Sequence, residues 1–405
     1  MRRKTIDDLP EAALRGRTVT VRLDLNVPVS DDGQVQDDTR ITAVLPTLRR
    51  LREAGARLVL LSHFGRPKGA PDPRYSLAPV SERLSALLGA PVRFLPHWKG
   101  PDVTEAVGAL SDGELLLLEN TRFDPGETDN DGTLGEAWAS FTDVYVNDAF
   151  GAAHRAHAST EALPRAVRAK GGAAVAGLLM ERELRFLGSA LADPERPFVA
   201  VLGGAKISGK IDVVEALLGR VDRLIIGGAM ANTFFLALGL ETGDSLVEPD
   251  RVDMAKELLD RAGDRLLLPV DCVVADRIAA DARTRVVSRT AVQPGDRIGD
   301  VGPDTVRLYT DEVAGARTLV WNGPMGVFEM EPFAAGTLAL AEAVARAADQ
   351  GALAVIGGGD SALAAEVAGV SERMTHVSTG GGASLELLAG AALPGVEALS
   401  PAEAS

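Results

Sequence analysis

The sequence predicts an α/β protein in which parallel β-sheets are covered on both faces by helices and divided between two domains. Three observations carry this reading. Short β-branched or leucine-rich runs alternate with longer amphipathic runs along almost the whole chain, the pattern of parallel strands joined by crossover helices. The chain has 405 residues, more than one hydrophobic core usually organises. The residues that follow each strand also change character midway, from charged side chains to glycine.

The elements can be taken in order. "TVTVRLDL" reads as a strand, and "RITAVLPTLRRLREAG" as a helix with Ile41, Val44, Leu45, Leu48 and Leu51 on one face and Gly55 closing it. "RLVLLS", "LLLLEN" and "VYVNDAF" read as further strands. "AVAGLLMERELRFLGSAL" reads as one long helix, ended by "ADPERP". The alternation then restarts with "FVAVL", "RLIIG", "RLLLPV", "TLVWN", "LAVIG" and "HVST". This divides the chain into a first domain over 1–173, a linker helix over 174–191 and a second domain over 192–390. Gly171, Gly172 and Gly188 are expected to absorb backbone changes near the ends of the linker helix.

Composition narrows the function classes. With 57 acidic and 42 basic residues the net charge is −15, which argues against nucleic-acid binding or a polybasic membrane role. An anion site must then be a local basic cluster on an acidic body. The single cysteine, Cys272, lies in the apolar run "LLLPVDCVVA" and has no intrachain partner, so it reads as a small buried hydrophobe in a reducing compartment. The basic start "MRRK" is followed by acidic residues and a proline instead of an apolar stretch, and no run reaches the length of a membrane span. A cytoplasmic location without membrane attachment is expected.

Ligands of parallel sheets bind beyond the carboxyl ends of the strands. In the first half these ends carry "RLDLNVP", "LLSHFGRP", "ENTRF" and "VNDAFGAAHRAH". Arg40, His63, Arg66, Arg122, His154, Arg155 and His157 lie near strand ends or helix starts, and several arginines in such places suit a small, multiply anionic molecule. His154, His157 and Asp148 are weak evidence for a metal. In the second half the ends carry "VLGGAK", "IIGGAM", "VWNGPMG", "VIGGGDS" and "VSTGGGAS". Glycine turns opening helices present backbone N–H groups to phosphate.

"GGAKISGK" nearly matches the P-loop, but Ile211 stands where a magnesium-binding Ser or Thr belongs. Lys206 and Lys210, four apart, read either as a solvated pair or as phosphate ligands on one face of a helix's first turn. Asp360 reads either as a helix N-cap or as the missing magnesium ligand. A domain for an anionic metabolite beside one for a magnesium nucleotide is the layout of a kinase whose halves must meet. A dehydrogenase is disfavoured, because no clear GxGxxG with a following acidic residue is present.

The motifs "VRLDLNVP", "SHFGRP", "ENTRF", "VNDAFGAAHRAHAS", "GGAKISGK", "WNGPMGVFE", "GGGDS" and "STGGGASLELL" occur in this order over almost the whole chain. The ordered set resembles the phosphoglycerate kinase family. The resemblance implies two Rossmann-like domains joined by a hinge helix, and reversible phosphoryl transfer from 1,3-bisphosphoglycerate to ADP, giving 3-phosphoglycerate and ATP. It implies that Asp24, Asn26, Arg40, His63, Arg66, Arg122 and Arg155 hold the phosphoglycerate, with Arg40 facing the phosphoryl group in transit. Lys206 would stabilise that group from the nucleotide side and Lys210 would bind nucleotide phosphate. Asp360 would hold Mg2+ carried by ATP or ADP, with Gly357, Gly358, Gly359 and Ser361 near the phosphates. Glu329 would take the ribose hydroxyls, and Gly227, Gly228, Gly299, Asn322 and Gly323 would border the nucleotide slot. A tail over 391–405 would pack back on the first domain. The resemblance further implies a monomer that closes by hinge bending.

Overall fold

The computed structural model describes residues 2–30 and 32–402; positions 403–405 of the expected tail lie outside the described residues. The chain forms two compact units, one of Met1–Leu184 with Ala392–Ser405 and one of Arg185–Ala391. The division falls inside the helix Leu178–Ala192.

The first unit is built on six parallel strands: β1 Thr18–Leu23, β2 Arg57–Leu61, β3 Val92–Leu95, β4 Leu115–Leu118, β5 Val144–Asp148 and β6 Ala173–Ala176, in the order β3-β4-β2-β1-β5-β6. Side chains alternate between the faces of a strand. On β1, Val19, Val21 and Leu23 join the apolar cluster that also takes Ile41, Val44, Leu45, Leu48 and Leu51 of the helix Thr39–Glu53. Burying each such side chain contributes about 1.5–3 kcal/mol, which holds this helix together despite Pro46 within it. Thr20 and Arg22 have the opposite parity and face a buried polar layer, where Thr20 meets Thr142 at 2.6 Å between hydroxyl oxygens. The tail returns to this unit: Ser400 N donates to Ala174 O at 2.7 Å and Gly395 N to Ala153 O at 2.8 Å.

The second unit holds β7 Phe198–Leu202, β8 Arg223–Ile226, β9 Leu266–Leu267, β10 Asp271–Ala275, β11 Arg285–Ser288, β12 Arg297–Val301, β13 Thr318–Asn322, β14 Leu353–Gly357 and β15 His376–Val377. Six of these form a parallel sheet in the order β15-β14-β13-β7-β8-β9. β11-β10-β12 form a separate antiparallel sheet. Cys272 is buried on β10, where burial first and the neighbouring Asp271 second push its thiol up to about 12.

Two expectations need correction. Residues 174–176 belong to β6, paired with β5, and the helix starts only at Leu178. The run "AVAG" satisfies either period, and two tertiary contacts decide. A Cβ on Gly177 would come within 2.2 Å of the Asp148 carboxylate, and Asp148 Oδ1 accepts the N–H groups of Leu179 and Met180 at 2.9 and 3.0 Å. That carboxylate therefore caps the helix start instead of joining a histidine metal site; burial pushes its pKa up to about 6. Gly188 lies in the closing turns of this helix. The second correction concerns the lysine pair. The helix after "GGAKISGK" is Ile211–Leu218, with Lys210 at its N-cap position, so Lys206 precedes it on turns.

Candidate functional site

Each unit has a cavity beyond the carboxyl ends of its parallel strands. In the first unit, Arg66, Lys68, Arg122 and Arg155 line a cavity of about 470 Å³ together with Pro125 and Thr128. Arg66 and Arg155 are exposed, while Arg122 is half-buried and donates from Nη1 to Gly65 O at 2.8 Å. The loop between β2 and the cavity is tightly turned, with Lys68 at φ 57°. Asn26 Oδ1 fixes the same loop by accepting the Gly65 N–H at 2.8 Å. Asp24 Oδ2 accepts from Arg40 Nη1 at 2.9 Å, so this carboxylate orients the arginine.

Behind these groups lies a network that the motif reading missed. Arg22 and Glu127 are both fully buried. Arg22 Nε donates to Ser159 Oγ at 2.7 Å, and Arg22 Nη2 lies 3.1 Å from His63 Nδ1. Glu127 accepts from Ser159 Oγ and N at 2.6 and 2.9 Å and from Thr121 Oγ1 at 3.1 Å. Its Oε1 is 3.9 Å from Arg22 Nη2. Burial, followed by the charges of Arg22, Arg122 and Arg40, holds the His63 pKa well below the usual histidine range. His157 is pushed down to about 4, chiefly by burial. Both imidazoles are therefore neutral donors or acceptors near pH 7. The signal for Arg22 was its place in an otherwise apolar and threonine strand.

In the second unit a cavity of about 390 Å³ is lined by Gly204, Gly228, Gly299, Glu329 and Asp360 among others. Its floor is made where strand ends touch through backbone. Gly228 has φ +66°, and a Cβ there would approach Gly204 N to 2.4 Å. Gly228 N donates to Met325 O, and Gly204 N to Pro324 O, both at 3.0 Å. Gly227 packs on Met325 and Gly299 on the Phe333 ring. Asn322 Nδ2 donates to Gly357 O at 2.7 Å, and Ser361 Oγ accepts the Gly323 N–H at 2.6 Å. Asn322, Gly323, Gly357 and Ser361 thus build the frame beneath the cavity.

The charged groups of this unit occupy three different environments. Lys206 is exposed on the turn after Gly204. Lys210 Nζ donates to Gly203 O at 2.6 Å and Asn322 O at 2.9 Å, and burial, opposed by the Asp360 charge, pushes its pKa down to about 8. Asp360 is exposed in the first turn of the helix Gly359–Val367, whose cap position is Gly358 at φ +93°. Its carboxylate is therefore not spent on capping. Glu248, absent from the motif reading, holds the turn of "GGAKISGK" by accepting the Ser208 N–H at 3.1 Å. Asp300 lines the cavity and accepts from Gly336 N at 2.7 Å and Val301 N at 2.8 Å; burial pushes it up to about 7.

The comparisons with known proteins agree with one another. A family model described as phosphoglycerate kinase matches residues 6–391. A phosphoglycerate kinase of Chloroflexus aggregans is 56% identical over 408 residues, covering 100% of both chains. One of Chlorobium phaeovibrioides is 51% identical, covering 99% of this chain and 100% of its own. The structure of phosphoglycerate kinase from Coxiella burnetii superposes with a TM-score of 0.88 at 40% identity, and that from Pyrococcus horikoshii with 0.83 at 34%, each covering 98% of both chains. On a match that spans both units and the strand ends of each, the chain belongs to the phosphoglycerate kinase family.

Proposed function

We propose that the reaction, reversible phosphoryl transfer between 1,3-bisphosphoglycerate and ADP giving 3-phosphoglycerate and ATP, runs with the acid held by the first unit and the nucleotide by the second. The observation that carries this division is the contrast between an arginine-lined cavity in one unit and a glycine-floored cavity with Asp360 in the other. In the first, Arg66, Arg122 and Arg155 take the phosphate and carboxylate of the acid, and His63 and Asn26 supply neutral polar groups. Asp24 aims Arg40 at the phosphoryl group in transit. In the second, Glu329 takes the ribose hydroxyls, the glycine turns approach the phosphates, and Lys206 meets the transferred group. Lys210 exchanges its carbonyl partners for a phosphate oxygen.

The donor set near Asp360 suits Mg2+ brought in by the nucleotide. Among the described residues no three His, Cys, Asp or Glu side chains converge, and magnesium commonly takes one or two carboxylates with phosphate oxygens and water. Bound there, the ion would neutralise phosphate charge. The acyl phosphate is itself a reactive donor, so the protein's part is positioning and charge stabilisation. Arg40 and Lys206 come from different units yet act on one group. The units therefore close during turnover, and small-angle scattering should show a smaller radius of gyration with both ligands than with either. An unchanged radius with both bound would contradict closure. The protein acts in the cytoplasm and as a monomer; light scattering of the eluted protein tests the oligomeric state, and fractionation of cells the location. Among the described residues no helix is long and apolar enough to cross a membrane. A coupled assay supplied with 3-phosphoglycerate and Mg-ATP should show ADP formation that requires both substrates. ADP formed without 3-phosphoglycerate would contradict the acceptor assignment.

A further inference from the structure

Arg22 is 0% exposed and so touches no ligand, yet it contacts a residue that can. It stands on β1 beside Leu61 of β2, and His63 follows Leu61 by two residues. All three nitrogens of its guanidinium are engaged. Nε donates to Ser159 Oγ at 2.7 Å, Nη1 donates to Leu23 O, and Nη2 lies 3.1 Å from His63 Nδ1. Ser159 Oγ in turn donates to Glu127 Oε1 at 2.6 Å, and that oxygen is 3.9 Å from Arg22 Nη2. The planar fork is therefore held in one orientation, with its charge balanced by a carboxylate as buried as itself.

A guanidinium only donates. The contact between Arg22 Nη2 and His63 Nδ1 therefore requires a lone pair on Nδ1. A proton there, in the other neutral tautomer or in the imidazolium, would set N–H against N–H in the interior. The hydrogen bond at one ring nitrogen decides what the other carries, and here the proton is left on Nε2. Among the described residues Nε2 has no hydrogen-bond partner, and it is not sealed from solvent; the 7% of His63 that is exposed includes it. We infer that Arg22 is a positioning residue for the acid: by donating to Nδ1 it holds His63 as the Nε2–H tautomer, so that the imidazole offers a donor to an anionic oxygen. Glu127, through Ser159, holds Arg22 in that role. The inference rests on the placement of the acid in the first unit. Carboxylate and phosphate oxygens only accept, so an unprotonated Nε2 would face them lone pair against lone pair.

The tautomer can be read in the intact protein. The sequence has 5 histidines, and the set of ring signals lost in His63→Ala assigns this one. Long-range 1H–15N correlation at pH 7 should show Nε2 protonated and Nδ1 bare. A proton on Nδ1, or on both nitrogens, overturns the inference without any change at Arg22. Arg22→Gln, whose amide can donate or accept, should let both tautomers appear and weaken 3-phosphoglycerate binding about tenfold by calorimetric titration. In a His63→Ala background the same substitution should weaken binding by less than about twofold, because its effect passes through the ring. An undiminished loss in that background would make Arg22 merely structural and overturn the inference. If Arg22→Gln is unfolded by thermal melting, Ser159→Ala, which removes the acceptor of Arg22 Nε, replaces it in the same cycle with the same expectations. His63→Ala alone separates the two levels of failure. If it leaves 3-phosphoglycerate affinity unchanged, the acid is not held there and the inference falls with that placement. If it weakens binding while the wild-type ring carries its proton on Nδ1, the placement stands and only the role of Arg22 is wrong.

Discussion

The two units share an architecture and line their cavities by different means. In the first, charged side chains surround the cavity, and a buried ion pair, Arg22 with Glu127, sits behind them with its hydrogen bonds filled by Ser159 and Thr121. In the second, backbone forms the floor of the cavity, and glycines at Gly204 and Gly228 let neighbouring strand ends touch. The difference teaches where each site is fragile. A site of side chains held by buried charge fails when a charge is removed. A site of close backbone approach fails when a single carbon is added.

The largest effect should come from breaking the buried pair. Glu127→Ala leaves the Arg22 charge uncompensated in the interior and should destabilise the protein by about 3–5 kcal/mol, read from denaturant unfolding. A loss below about 1 kcal/mol would mean that the first unit does not depend on buried charge. Next come the two cations assigned to the transferred group. Lys206→Ala and Arg40→Ala should each lose on the order of 3 kcal/mol of transition-state stabilisation, seen mainly in kcat. Near-normal turnover in either variant would remove that residue from its role. Gly228→Ala sharpens the contrast from the other side. It adds one methyl group at φ +66°, 2.4 Å from Gly204 N. Strain of about 1–3 kcal/mol is expected, together with a raised KM for nucleotide and an unchanged affinity for 3-phosphoglycerate. Equal damage to both ligands would indicate that the units are not independent binding bodies.

The smallest effect is in pH. Lys210 titrates near 8 in the folded protein, against an ordinary value of 10.5. Between these values the unfolded chain holds a proton that the folded one has released, so this group's contribution to stability rises with pH through that window. The ammonium proposed to meet phosphate is lost over the same range. The KM for nucleotide should therefore climb as pH passes upward through about 8, and Lys210→Arg, which stays charged, should flatten the rise. A rise of the same size in both proteins would assign the titration elsewhere.

Much of this was legible in the sequence because period and punctuation are local signals. The helix Thr39–Glu53 shows its buried face in five spaced apolar residues, and the glycine runs mark the strand ends of the second unit. β11 was not legible because Arg285–Ser288 is largely exposed and lacks a core face. β6 was not, because an alanine-rich run fits a strand and a helix equally well. Glu127 sits in "DPGETDN", which reads as a solvated loop, and only tertiary structure buries it among Thr121, Ser159 and Arg22. Lys210 was not legible as a group anchored to Gly203 and Asn322 carbonyls, since those contacts link the end of β7 to the end of β13.

The division of labour between the units is tested most directly by calorimetric titration of two variants with both ligands. Arg122→Ala should lose 3-phosphoglycerate binding by at least tenfold and keep Mg-ADP binding, because Arg122 belongs wholly to the first unit's cavity. Asp360→Asn should do the reverse, weakening Mg-ADP and sparing 3-phosphoglycerate. That crossed pattern is the result the account predicts. Loss of both ligands in either well-folded variant, or loss of the wrong one, would contradict it.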